Sequence, residues 1–450
     1  MRLWKRGKGR PPPPAFPSFP QPPLPLIDVY DPRMNDRKLY EQILGIPQPW
    51  WVEDVSLLLD QGEIQVRVRG NAAVEMCPEC GKACARYDSS ERRWRHLDTC
   101  QYRTILIATV PRVDCDEHGV RQVRVPWAEE RSRFTALFEA LVIDWLGATE
   151  SIAAVAKGLG LSWDAIAGIR GRAVARGMKR RGRAPLPASV GVDETSVRRG
   201  HEYITVVNAL GQARVLDVID DRTQASLDTF WSQYDAKELE RVESVAMDMW
   251  AAYIASTRTY LSGADEKIVF DKFHIMKHLG DAVDKVRRQE HRTLRASGDN
   301  RLAKTRYLWL THPERLEGEA RARIEALRHG ALKTARAFRY KEHASRLWGY
   351  VRRGMAERLW KQWLRGALRC QLEPIRRVAR MIRDYWYGVI NAAASDITNA
   401  MSESVNAQIQ RIKKRACGFR SRPRFREAIL FHLGALDLYP QSLHGAHSKA

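Results

Sequence analysis

The chain has 450 residues, of which 75 are lysine or arginine and 53 are acidic, giving a formal net charge of +22. A hydrophobic share of 44 % excludes a wholly disordered protein, and the length argues for about two to four domains. The pI near 9.9 points to a polyanionic partner, with nucleic acid first and an anionic membrane surface second. The membrane alternative is weak. The most apolar stretch, Phe134 to Trp145, is broken by Glu139 and Asp144 and falls short of the roughly 18–20 uncharged residues a spanning helix needs. The basic N-terminus runs into prolines, not into the apolar core of a secretion signal.

In chain order, residues 1–33 form a proline-rich extension, with nine prolines between Pro11 and Pro25, that reads as a disordered tail. Partial alternation from Val52 to Arg69 predicts a hairpin turning at Asp60-Gln61-Gly62, and Tyr102 to Val113 reads as a further strand. Five of the seven cysteines (Cys77, Cys80, Cys84, Cys100 and Cys115) fall between these segments or just after them, a spacing that suggests metal binding in a reducing cytosol. Residues 34–126 are therefore expected to be a small β-rich domain built around a metal.

The pattern then turns helical over 127–182. Phe134, Leu137, Phe138, Leu141, Val142 and Trp145 line one face of a first helix. A second helix covers about Glu150 to Lys157 and stops at Gly158-Leu159-Gly160. A third starts at Ser162, a good N-cap, and runs to about Gly177. Arg183 to Ser189 reads as a linker, and residues 183–450 as a further domain. Ala188 to Asp193, Tyr203 to Leu210 and Val215 to Ile219 are predicted strands, followed by a helix over Ser226 to Tyr234. A strand over Val242 to Met247, a helix over Ala251 to Leu261 and a strand over Lys267 to Phe270 come next. This order predicts an α/β, ribonuclease H-like mixed sheet. Helical pattern from about 275 to 390 forms a large insertion, and Ser402 to Arg415 is a late helix.

Three constellations carry chemistry. Cys77-Pro78-Glu79-Cys80-Gly81 and Cys115-Asp116-Glu117-His118-Gly119 are two knuckles able to deliver four tetrahedral ligands to a structural zinc, each followed by a glycine that permits a tight turn. Cys84 and Cys100 are rival ligands and His96 a weaker one. Arg92-Arg93-Trp94-Arg95-His96 between the knuckles reads either as a solvated turn or as a patch touching a nucleic-acid backbone. The helix pair around Gly158-Leu159-Gly160 fits a helix-turn-helix whose reading helix presents Trp163, Asp164, Arg170 and Arg172. Arg170 to Arg183 holds seven basic residues and no acidic one, so Arg176, Lys179, Arg180 and Arg181 join the candidate DNA contacts.

The third constellation is acidic. Asp193 and Asp248 each end an apolar strand. A carboxylate at such a place needs a partner, and two converging ones invite Mg²⁺. Glu403 on the late helix is placed to complete the set, for two-metal activation of a water or 3′-hydroxyl against a phosphodiester. Asp271 and His274 follow another strand end and are assigned a supporting role, with helix capping by Asp271 and packing of His274 as the alternative. Glu194 should face the other side of its strand.

Together these segments resemble the DDE-type transposases of bacterial insertion sequences, specifically the group named after insertion sequence L-three. The resemblance covers about Leu39 to Pro440. It rests on the two knuckles, Arg92 to Leu97, the helix-turn-helix, Gly191-Val192-Asp193-Glu194-Thr195, Met247-Asp248-Met249-Trp250, Phe270-Asp271-Lys272-Phe273-His274 and Ser402-Glu403-Ser404-Val405-Asn406. It implies a zinc-binding domain, a helix-turn-helix and a ribonuclease H-like catalytic domain whose acidic triad matches Asp193, Asp248 and Glu403. It further implies a helical insertion before the last acid. Mg²⁺ or Mn²⁺ for catalysis, double-stranded DNA as element end and target, a homo-oligomer on paired ends and a place in the bacterial cytoplasm at the nucleoid are the accompanying expectations. The proline-rich extension and His118, where a cysteine is expected, depart from the pattern. A DNA-binding regulator and a structure-specific nuclease without strand joining are the competing functions.

Overall fold

The computed structural model describes residues 36–440 except 72–73, 199–201, 213, 351 and 396–399, and for residues 313 and 400–403 the backbone alone. The proline-rich extension and the last ten residues lie outside the described residues. The chain divides into two compact units, Met1–Leu141 with Tyr439–Ala450, and Val142–Leu438.

In the first unit α1 (Asp36–Leu44) precedes β1 (Trp50–Leu58), β2 (Glu63–Gly70), β3 (Glu75–Met76), β4 (Ala83–Arg95), β5 (Arg103–Cys115) and β6 (Gly119–Gln122). The sheet order is β1-β2-β5-β4-β3, with β6 also on β5. β2 and β5 pair in parallel, and the other strand pairs of this sheet among the described residues are antiparallel. The expected hairpin is present, with Gly62 in the left-handed region at its turn. The core gathers Val52, Val66, Val68, Leu106 and Val110 around Trp50, Trp94 and Trp127. Trp127 meets Trp50 edge-on at 5.1 Å and Trp94 at 5.5 Å, geometry worth about 0.5–1.5 kcal/mol per pair beyond burial.

Arg92 to His96 is not a turn. It closes β4, paired residue by residue with β5 through Arg95↔Ile105. Trp94 points into the core, while Arg93 pairs with Glu63 at 2.8 Å and Arg92 with Gln122. His96 is buried, its Nδ1 2.9 Å from Thr135 Oγ1, and burial pushes its pKa down to about 4.

The second unit begins within α2 (Ala136–Thr149). α3 (Ile152–Leu159) and α4 (Trp163–Arg181) follow, each capped by a serine side chain and bent by 117° to one another, a helix-turn-helix angle. A five-stranded sheet follows: β7 (Ser189–Arg198), β8 (Glu202–Ala209), β9 (Arg214–Asp220), β10 (Ser244–Met247) and β11 (Ile268–Phe270). Its order is β11-β10-β7-β8-β9; β7, β8 and β9 are antiparallel, whereas β10 and β11 run parallel to β7. Between β9 and β10 lie α5 (Gln224–Trp231) and α6 (Ala236–Glu240), and between β10 and β11 lie α7 (Ala251–Tyr260) and α8 (Ala264–Lys267).

After β11 come α9 (Lys272–Ala296), α10 (Arg306–Leu310), α11 (Gly318–Arg328), α12 (Lys333–Leu347), α13 (Arg353–Arg369), α14 (Glu373–Asp384) and α15 (Trp386–Ala394). The chain then continues through α16 (Ala400–Arg415) and α17 (Arg422–Leu433). The tryptophans scattered among the arginines here belong to the core. Trp309, Trp360 and Trp363 are buried in one apolar cluster that continues into Val190, Val245 and Phe270 of the sheet. Among the described residues no single helix is long and apolar enough to cross a membrane.

Candidate active site and metal centre

The sheet ladder lines up the acids. Parallel pairing of Gly191 with Ala246 and of Met247 with Phe270 puts Asp193, Asp248 and Asp271 in one transverse row across β7, β10 and β11. Asp248 and Asp271 follow strand ends, as the sequence suggests. Asp193 does not. β7 continues to Arg198 against β8, with Asp193 opposite Val206, and only its parallel partner stops. A run of apolar residues ends at Asp193 because burial against β10 ends there, not because the strand does.

Each carboxylate of the row is held by the chain. Asp193 accepts from its neighbour's amide, Glu194 N, at 2.6 Å and from Asn406 Nδ2 of α16. Burial raises its pKa, and the Asn406 hydrogen bond offsets part of that rise. Asp248 accepts from Met249 N at 2.7 Å and from His274 Nδ1 at 2.9 Å. Burial pushes Asp248 up, but the His274 hydrogen bond and charge outweigh it and hold the carboxyl below its ordinary range. Asp248 in turn raises His274, against the effect of burial. Asp271 caps α9 through Phe273 N at 2.7 Å, and its second oxygen is 3.8 Å from His274 Nε2. Capping and support of His274 are thus roles of one carboxyl. α7 and α9 start where β10 and β11 end, so the positive ends of both helix dipoles lie beside the row.

Glu403 lies on α16 three residues before Asn406; its side chain falls outside the described residues. Asn406 closes the late motif, and the sequence alone assigns it no role. Its signal is the three-residue spacing from Glu403, which puts both on one helix face. Further along α16, Lys413 Nζ donates to Ser196 O of β7. Glu194 faces away from the row and pairs with Arg222 at 2.9 Å.

The cysteine knuckles converge. The ligand atoms of Cys77, Cys80, Cys115 and His118 all lie within 4.8 Å of one another. Cys80 Sγ to Cys115 Sγ is 3.7 Å, Cys115 Sγ to His118 Nδ1 is 3.6 Å and Cys77 Sγ to His118 Nδ1 is 3.8 Å. Tetrahedral zinc with Zn–S of about 2.3 Å and Zn–N of about 2.0–2.1 Å requires edges of about 3.6–3.8 Å, so the donor set fits. Gly81 at φ +69° and Gly119 at φ +66° make the turns that only glycine accepts readily. The Glu117 amide bonds the Cys115 sulfur and, against the effect of burial, holds that thiol below its usual range. Cys84 instead bonds the Lys82 carbonyl, Cys100 is exposed, and neither joins the cluster.

The basic end of α4 is where the structure departs most from expectation. Arg170 is buried; its guanidinium donates to Arg424 O at 3.2 Å and lies 3.8 Å from Glu427 of α17. Arg176 donates to Leu438 O, Arg180 pairs with Asp437 at 2.9 Å, and Arg181 donates to Leu216 O at 2.7 Å and Gly434 O at 3.3 Å. Carbonyls and carboxylates of α17 and the segment after it, with β9 carbonyls for Arg181, take the place expected for phosphates. Trp163 and Lys179 are exposed, Trp163 with the Arg424 guanidinium 4.3 Å over its ring, and Arg172 is half-buried. Arg170→Ala is therefore expected to cost stability, on the order of 1–3 kcal/mol for the lost buried bonds. The salt dependence of DNA binding should not change. Thermal melting and a salt titration on the same variant check this.

The family model described as transposase, of the DDE type in family ISL3, matches residues 190–429 and so takes in the whole acidic row, Glu403 and Asn406. The zinc-finger of transposase IS204/IS1001/IS1096/IS1165 matches residues 73–118, and the helix-turn-helix domain of transposase family ISL3 matches residues 123–169. This chain is a DDE-type transposase, an enzyme of DNA transposition. It belongs to the ISL3 family. The transposase for insertion sequence element IS1001 of Bordetella parapertussis is 27 % identical over 410 residues, 87 % of this chain and 97 % of that protein. The transposase for insertion sequence element IS1557 of Mycobacterium tuberculosis is 26 % identical over 420 residues, 86 % of this chain and 93 % of that protein. No solved structure matches.

Proposed function

We propose that the protein binds the terminal inverted repeats of its own insertion sequence, cleaves the DNA there and joins the freed 3′-hydroxyl to target DNA, working as a homo-oligomer on paired ends at the bacterial nucleoid. The observation that carries this reading is the transverse row of Asp193 and Asp248 on neighbouring parallel strands, with α16 delivering Asn406 to Asp193. Three antiparallel strands followed by two parallel ones support a ribonuclease H-like catalytic domain, with α9 to α15 as its helical insertion. The donor chemistry suits a hard divalent cation on Asp193, Asp248 and Glu403.

Mg²⁺ or Mn²⁺ bound there supplies Lewis-acid polarisation of the phosphodiester and a nucleophile of lowered pKa. The chain's own groups do the rest. Asn406 and the Glu194 amide fix Asp193, the Met249 amide and His274 fix Asp248, and Asp271 fixes His274 while capping α9. His274, whose pKa is raised by the Asp248 hydrogen bond, lies between the carboxylates of Asp248 and Asp271.

End recognition is assigned to the zinc-binding segment and the helix-turn-helix, through Trp163, Arg172 and Lys179 in place of the arginines turned inward. Binding of end duplex by the full chain should weaken steeply with salt. Six to ten phosphate contacts lose roughly 10³–10⁵ in affinity between about 50 and 200 mM. The deciding experiment supplies the purified protein with paired element ends, a target duplex and Mg²⁺. Joined product supports transposition chemistry; hydrolysed ends without joining would leave a nuclease, and binding without cleavage a regulator.

A further inference from the structure

Beside the acidic row stands an aromatic assembly that takes no part in holding it. Trp250, two residues after Asp248, opens α7 and is 38 % exposed. Its indole Nε1 donates to the Arg222 carbonyl at 2.9 Å. The Arg222 guanidinium lies over the indole, 4.6 Å from the ring centroid, and over the Tyr203 ring at 4.1 Å, and Glu194 pins that guanidinium from the side. The indole is thus fixed at its edge and backed by a stacked cation, yet a large part of it meets solvent. Phe273, two residues after Asp271, is 58 % exposed and edge-on to His274 at 5.9 Å. Because Asp248 and Asp271 continue the Met247–Phe270 pair, Trp250 and Phe273 occupy equivalent positions past neighbouring strands. Trp309, Trp360 and Trp363 of the helical region are buried and Trp348 and Trp386 partly so, whereas Trp250 and Phe273 stand exposed beside the acidic row.

We infer that Trp250, backed by Arg222, is a stacking platform for an unpaired nucleobase next to the phosphodiester cut at the acidic row, with Phe273 as a second apolar contact. The inference rests on the proposed chemistry for the location of that phosphodiester. A base in duplex DNA is stacked on both faces, and bringing its phosphate down to a row of buried carboxylates pulls it out of the stack. An aromatic already immobilised by a hydrogen bond and a guanidinium replaces the lost stacking at little further entropy cost. Stacking on a ring face also accepts any base, which suits a site at a cut defined by the reading domains upstream. The stacked Arg222 cation adds attraction to a phosphate-bearing strand.

The test uses the full chain and end duplexes in which single nucleotides flanking the cut are made abasic one at a time. Trp250→Ala should weaken binding of the intact end in Ca²⁺, and its cleavage in Mg²⁺, by about 10- to 100-fold. At one flanking position the abasic end should erase most of that loss, since the variant and the DNA then lack the same contact. Trp250→Phe, which keeps a stacking face, should retain most of the activity. An identical loss on every abasic end, or no effect of Trp250→Ala on binding and cleavage, would overturn the inference. Asp248→Asn separates it from the parent reading. That variant should keep the coupling between Trp250 and the abasic position in binding while losing cleavage. If it still cut, the assigned chemistry would fall and the stacking site would be judged on the binding data alone.

Discussion

Asp248→Ala is expected to reduce strand cleavage and joining to background while end binding persists, as read by oligonucleotide cleavage on a gel and by a mobility shift. Asp248 sits in the middle of the row, between Asp193 and Asp271, and its loss would remove a proposed metal ligand together with the partner that raises the His274 pKa. Asp193→Ala and Glu403→Ala should do the same. A double variant should be no worse than a single one, because groups acting as a unit do not lose activity additively. Ca²⁺ should support binding with little cleavage, since its looser shell positions a nucleophile poorly. Asp271→Asn and Asn406→Ala act on the ligands from behind and should cost about 10–100-fold. The informative reversal is a Glu403→Ala protein that cuts almost normally beside an inert Asp271→Asn protein. Asp271 would then be the third acid, as its place in the row permits.

Cys77→Ser should bring the zinc content from about one ion per chain to near none, measured by elemental analysis. The structural response should be local. The ligands sit at the β3–β4 end and at the β5–β6 hairpin, while the Trp50, Trp94 and Trp127 cluster packs among β1, β2, β4 and β5. Losing the metal removes the tie on the two-residue β3 and the knuckle turns, which lie outside the tryptophan cluster. Proteolysis should open residues 75–84 and 115–119 first, with tryptophan emission little changed. Zinc retained by Cys77→Ser, or collapse of tryptophan emission with the metal, would contradict this arrangement.

The acidic pair was legible because Val190-Gly191-Val192 and Val245-Ala246-Met247 are buried strand cores that stop at carboxylates, and burial is what composition reports. The zinc ligands were legible because spacing alone carries them. β4 was not. Ala83 to Arg95 is largely polar, buries Trp94 alone and pairs Arg86 with Glu75 and Arg93 with Glu63, so its hydrophobic alternation is nearly silent. The α4 arginines misled for a different reason: a run of charge shows the need for a counterion but not its source, and for Arg170 and Arg176 the source is over 250 residues away. Asn406 carried no charge to draw attention, although its position relative to Glu403 held the information.

That distance also sets a clock. Arg170 and the carbonyl of Arg424 are 254 residues apart in sequence, and Gly434, which receives Arg181, comes later still. At about 5–20 residues per second of synthesis, α4 leaves the ribosome roughly 10–50 s before these acceptors exist. The helix-turn-helix is thus among the earlier parts of the second unit to be made and among the last to be finished. A frameshift or stop ahead of α17 would yield a protein with every acid of the row encoded but with Arg170 and Arg181 deprived of the segment that neutralises them. Decay of an element copy at its distal end should therefore show itself in α4, more than 250 residues upstream of the lost acceptors.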